Sequence, residues 1–168
     1  MNENNEKKPE TKTGAGENHA SGTRSESAPP VSGSAPCSAA LLILRVVLGV
    51  IFAAHGAQKL FGAFGGPGVA GFGKSLADMG FFIPGLLAWV VSIVEFGGGL
   101  LLIAGILPRL SAALIGVIML VAIFKVHWAN GFFNMNQGYE YQLLILTVCL
   151  AIVTAGAGRY SVFNCGKQ

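Results

Sequence analysis

Four apolar stretches, near residues 38–60, 86–106, 109–127 and 141–157, constrain this chain more than anything else in it. A bilayer core about 30 Å thick takes roughly 17–25 helical residues, so each stretch is long enough, or nearly so, to cross it. A soluble helical bundle needs a polar face on every helix. The run AALIGVIMLVAIF (112–124) has none. The expected fold is an all-α membrane protein, a four-transmembrane-helix bundle. Leu107-Pro108 forms the whole turn between the second and third stretches, which makes those two antiparallel neighbours. Ser38 is the expected N-cap of the first helix. Pro84 precedes the second, where a missing N–H costs little.

Charge is confined elsewhere. Of 168 residues 52% are hydrophobic and 11% charged, against about 25% charged in an ordinary soluble domain. That balance excludes a typical soluble enzyme. A net charge of +3 is too small and scattered to mark a nucleic-acid surface. Residues 1–36 hold four Lys/Arg and five Asp/Glu with hardly any large apolar side chain. Residues 1–37 are therefore read as a disordered polar tail, and 38–168 as the membrane domain. The tail has no apolar core of the kind a secretory signal needs. An even number of spans places both termini on one side. The four tail cations, Arg109, Arg159 and Lys167 fall there, and Lys59, Lys74 and Lys125 fall opposite. Seven against three argues that the termini are cytoplasmic.

Ionisable groups within spans are costly in lipid and tend to pair or to line a cavity. Arg45 and Glu95 lie deep in the first and second stretches. They are expected to face one another as an intramembrane ion pair. Arg45, Leu48, Phe52, His55 and Lys59 share one face of the first helix at 100° per residue. Lys59, nearest the outer end, is expected to snorkel toward the headgroups. Ser92, Glu95, Gly98 and Gly99 recur at helical spacing in the second stretch, and the glycines suit close helix approach. Thr147 and Thr154 are placed to bond across to a neighbouring helix.

The far loops, about 61–85 and 128–140, are long and rich in aromatic residues. Rings at this level form an interfacial belt, and residues 68–82 suit a short helix on the outer surface. His55, Lys59, His127, Asn130 and Glu140 converge at the outer end and are the ligand-binding candidates. Together they suit a polar ring with an apolar tail. No HExxH-type spacing occurs, so no metal site is expected. Cys37, Cys149 and Cys165 lack CxxC spacing, and free thiols are expected.

Several of these positions also form a pattern. Arg45, His55-Gly56, Lys59-Leu60-Phe61-Gly62, Phe64-Gly65-Gly66 and Gly71-Phe72 resemble the first half of the DoxX family signature. Glu95, His127, Asn130-Gly131-Phe132-Phe133 and Gly138-Tyr139-Glu140-Tyr141 resemble the second half. The resemblance implies a four-span protein of the bacterial inner membrane that acts as an oxidoreductase component. It also implies quinone as the redox ligand and a soluble redox protein as partner. No motif for flavin, haem or a redox-active thiol pair accompanies it, so a self-sufficient enzyme is not expected. A small-solute transporter or permeability factor, and a membrane scaffold recruiting a soluble redox partner, remain the alternatives.

Overall fold

A computed structural model describes residues 35–156, 158, 160 and 161. The proposed disordered tail, apart from its last three residues, lies outside them, as do Arg159, Cys165 and Lys167. Among these residues five α-helices succeed one another: α1 (Ala35–Phe61), α2 (Gly68–Asp78), α3 (Pro84–Ala104), α4 (Pro108–Ala122) and α5 (Glu140–Ala155). Three apolar helical runs, Pro36–Phe61, Pro84–Ala104 and Pro108–Asn130, are long and apolar enough to cross a membrane. The last of these continues α4 through one π turn and one 3-10 turn. The fourth long helix of the bundle, α5, is apolar but shorter, at 16 residues.

The exterior is as apolar as the interior. Val47, Val50, Ile93, Val117 and Leu144 all point outward and are exposed. In water such a surface would aggregate; against lipid tails it costs nothing. The core gathers Leu48 and Phe52 of α1, Leu102 of α3, Ala112, Ile115 and Met119 of α4, and Ile145, Cys149 and Ile152 of α5.

Missing side chains set the closest helix contact. A Cβ at Gly49 would lie 2.7 Å from the Gly99 carbonyl oxygen, and one at Gly56 would lie 2.5 Å from the Phe96 Cα. Gly99 in turn abuts the backbone of Ala53. The paired numbers 49/103, 53/99 and 56/96 define one antiparallel register for α1 and α3. A Cβ at Gly98, one residue before Gly99, would meet Ile115 of α4, while one at Gly97 would meet nothing within 4 Å. The glycine triplet thus serves two helix interfaces.

This register overturns the expected Arg45–Glu95 pair. It sets Arg45 beside Gly105, at the turn between α3 and α4, where the guanidinium leaves no room for a Cβ. Ten residues separate Gly105 from Glu95, roughly 15 Å of helix. Arg45 Nη2 instead donates to the Tyr160 carbonyl oxygen at 2.7 Å, and Ser161 Oγ donates to the Gly105 carbonyl oxygen at 2.7 Å. Arg45 thus ties the segment after α5 to this end of the bundle. Counting inward from the span ends gives the two charges equal depth. But α1 stops at Phe61, level with the second turn of α3, so that count misaligns the two helices.

Two smaller expectations also change. Ser38 is not an N-cap; α1 already begins at Ala35, and Ser38 is buried. Thr147 and Thr154 donate to carbonyls of their own helix, at Leu143/Leu144 and Leu150/Ala151. Back-bonding of this kind uses the hydroxyl's one hydrogen locally and leaves no donor for a neighbouring helix.

The turn between α3 and α4 closes on a left-handed Gly105 (φ 72°), with the Ile106 N–H bonded to the Leu101 carbonyl at 2.9 Å. Gly is the residue for which that conformation carries no Cβ penalty. As anticipated for residues 68–82, α2 is a short amphipathic helix; it buries Leu76 and exposes Lys74 and Asp78.

Candidate functional site

The last turn of α1 brings Lys59 against α3. Lys59 Nζ donates to both oxygens of the Glu95 carboxylate at 2.6 Å. The lysine is not free to snorkel. Its side chain is 23% exposed, that of Glu95 only 2%. The ammonium also lies 4.8 Å from the centre of the Phe72 ring of α2, a cation–π distance. Close α1–α3 approach at Gly56 and Gly99 is what brings the two charges within reach.

The pair forms part of the wall of a cavity of about 530 Å³. The volume suits a small organic ligand. Its lining is overwhelmingly apolar and comes from every helix, including Phe52 of α1, Leu76 of α2, Val91 of α3, Met119 of α4 and Ile145 of α5. Polar groups enter from two sides. His55, Lys59 and Glu95 come from α1 and α3; His127, Tyr141 and Gln142 come from the end of α4 and the start of α5. α2 adds Phe72 and Leu76 to the lining, and Met79 follows directly after it.

Both histidines have one nitrogen committed. His55 Nδ1 lies 2.8 Å from the Ile51 carbonyl oxygen and His127 Nδ1 lies 2.6 Å from that of Gln137. A carbonyl only accepts, so Nδ1 carries the proton in each ring. Nε2 is then the nitrogen left for a ligand or for proton transfer. His127 owes its position to a π turn over Ile123–His127. A π turn admits one extra residue and rotates the next part of the helix; such turns recur at functional sites. No residue type in IFKVH announces it.

The five ligand-binding candidates divide. His55, Lys59 and His127 line the cavity. Asn130 and Glu140 do not. Asn130 Nδ2 donates to the Gln137 carbonyl oxygen at 3.3 Å, and Glu140 Oε1 accepts the Asn134 N–H at 2.6 Å. Both brace the loop between α4 and α5. That loop also pairs the Glu140 N–H with the Phe132 carbonyl oxygen at 3.0 Å and stacks Trp128 on Tyr139 at 5.4 Å. Replacing Glu140 by Gln should therefore weaken the loop by about 1 kcal/mol, the difference between a hydrogen bond to a charged and to a neutral acceptor. Hydrogen exchange at Asn134 should rise, and ligand affinity should fall by less than it does on removal of the His127 ring. Gln142 is a lining residue that sequence reasoning misses. It stands between Tyr141 and Leu143 at the start of α5, and only its place in the cavity wall distinguishes it.

Apolar outer faces, three membrane-length helices and a buried ion pair together define a small helical membrane protein. Residues 40–128 match the model of the DoxX family. The chain belongs to the DoxX family. CatD of Bacillus subtilis, whose provisional name makes it an oxidoreductase, is 30% identical over 66% of this chain and 76% of its own length. An uncharacterized Haemophilus influenzae protein is 33% identical over 74% of this chain and 88% of its own. Inner membrane protein YqjF of Escherichia coli is 28% identical over 73% of this chain and 88% of its own. No solved structure matches the chain.

Proposed function

We propose that the chain is the integral membrane subunit of a quinone-linked oxidoreductase or oxidative-stress complex of the bacterial inner membrane. It crosses four times, with both termini cytoplasmic. A soluble redox protein supplies the electrons, and a quinone accepts them at the cavity. One observation carries this reading: an apolar cavity of about 530 Å³ whose polar groups approach from two sides. A quinone ring carries oxygens at opposite ends and is otherwise apolar, so it complements that distribution. His55 and His127, each with Nε2 uncommitted, would bond those oxygens or deliver the two protons that accompany two electrons. The names of CatD and YqjF agree with an oxidoreductase role and an inner-membrane location respectively.

The test is a titration of detergent-purified protein with short-chain ubiquinone and with menadione, monitored by quenching of tryptophan fluorescence. Saturable binding is expected. His55→Ala and His127→Ala should each weaken it about tenfold, the scale of one good hydrogen bond inside an apolar site. Absence of saturation with either compound would remove the quinone reading. Uptake of a labelled solute into proteoliposomes would then favour the transporter alternative.

A further inference from the structure

Among the described residues, six of the cavity wall are also exposed on the outside of the molecule, and they fall into two groups. His55, Met79 and Tyr141 come from the last two turns of α1, the residue after α2 and the first turn of α5, toward the loop end of the bundle. Val90, Val117 and Val121 come from α3 and α4 and are 47%, 59% and 43% exposed. A residue that lines a cavity and also faces outward marks an opening. Other seams are closed by contact: glycines zip α1 to α3, and a Cβ at Gly116 of α4 would lie 3.5 Å from Cys149 of α5. Between α3 and α4 the comparable contact lies toward their shared turn, where a Cβ at Gly98 would lie 3.5 Å from Ile115 and 3.9 Å from Ser111. Counting on from there along antiparallel helices brings residues 90–94 opposite 117–121. What these two stretches give to the cavity wall (Val90, Val91, Val117, Ile118, Met119 and Val121) is apolar throughout. Val117 is the tenth of the 23 residues in the run Pro108–Asn130. This opening therefore sits near mid-span, at the depth of acyl chains and not of headgroups.

We infer that the gap between α3 and α4 is a lateral portal to the bilayer, and that the ligand is a membrane-dissolved quinone whose isoprenoid chain lies in it. This rests on the quinone reading above and names its substrate class. A cavity of about 530 Å³ holds a substituted ring and the start of a chain. The rest of a long chain has to leave. An exit at the loop end leads past the polar groups of His55 and Tyr141 toward headgroups and water. An exit past Val90, Val117 and Val121 keeps the chain in apolar surroundings, and burial of each methylene there is favourable. The ring reaches the histidines by the same route without crossing water. The histidines hold the ring, and the valines select for the chain. Valine is short, so it leaves a width at this seam that a larger side chain would fill.

The experiment narrows the portal in full-length protein with Val90→Phe, Val117→Phe and the double variant. Val50→Phe is the control; Val50 is 53% exposed on α1 and lies outside the cavity wall. Ubiquinone-0, the tail-less parent ring, and decylubiquinone, the same ring with an alkyl chain, are titrated in one detergent by quenching of tryptophan fluorescence. Each affinity is divided by that of wild type, which cancels partition into micelles. The double variant should bind decylubiquinone about tenfold more weakly, the scale of a few methylenes losing apolar contact. Its affinity for ubiquinone-0 should stay within about twofold of wild type, and the single variants should show the same selectivity to a smaller degree. Val50→Phe should change neither. All four substitutions lie on exposed apolar positions, so thermal unfolding should match wild type. If the double variant binds both compounds as wild type does, the chain leaves elsewhere and the inference falls while the quinone reading stands. Equal loss for both compounds would also overturn the portal, since the ring site and not the chain path would then be disturbed. If wild type binds neither compound, the quinone reading falls and takes this inference with it.

Discussion

Lys59→Met is expected to destabilise the protein by about 3–5 kcal/mol, the usual cost of stranding one member of a buried ion pair. The stranded group is the Glu95 carboxylate, 2% exposed in a cavity wall that is otherwise apolar. Glu95→Leu should cost less, because Lys59 is partly exposed and can extend toward the lipid surface. The double variant Lys59→Met/Glu95→Leu should recover most of the loss, since it removes both charges and leaves apolar volume. Unfolding by denaturant in mild detergent measures all three. A second cycle with Arg45→Met and Glu95→Leu checks the register itself. Their effects should add, because Arg45 bonds the Tyr160 carbonyl at the other end of the bundle. A coupling energy above about 1 kcal/mol between Arg45 and Glu95 would contradict the α1–α3 alignment.

Gly56→Ala is the second large effect. Its Cβ would collide with the Phe96 backbone nitrogen and lie 2.5 Å from the Phe96 Cα, and backbone atoms of a packed helix cannot step aside. Helices α1 and α3 must then separate. The expected loss is at the top of the roughly 1–3 kcal/mol range for overpacking, or beyond it. Separation also pulls Lys59 from Glu95, so quinone-analogue binding should fall with stability. Gly97→Ala is the control. Nothing lies within 4 Å of its Cβ position, and Ala favours helix over Gly by about 1 kcal/mol. That variant should be neutral or slightly stabilising. Equal damage from both would mean that the loss at Gly56 does not come from its contact with Phe96.

Structure and chemistry meet at the α1–α3 interface. Gly49, Gly56 and Gly99 allow the backbones to touch, and that contact lets a lysine near the end of one helix reach a carboxylate in the other. The same approach fixes His55 one helical turn below Lys59, on the cavity side. Loop residues reach the site less directly. Glu140 and Asn130 hold the 131–139 backbone so that the Gln137 carbonyl can fix the His127 ring.

Much of this is legible in the sequence because lipid imposes simple rules. An uninterrupted apolar run with no polar face has one stable outcome, so the helices and their apolar exteriors come from composition and length. The convergence of His55, Lys59 and His127 is legible too, because 100° per residue fixes a face and a count of residues fixes depth. Tertiary structure alone decides which charges meet. Arg45 and Lys59 lie on the same face of α1 and both suit Glu95; only the slide of α1 along α3 chooses, and that slide is set by glycine contacts whose strength no single residue reveals. The π turn that aims His127 and the entry of Gln142 into the cavity wall are likewise consequences of packing. Local sequence specifies helix and face, whereas helix-to-helix register depends on atoms far apart in the chain.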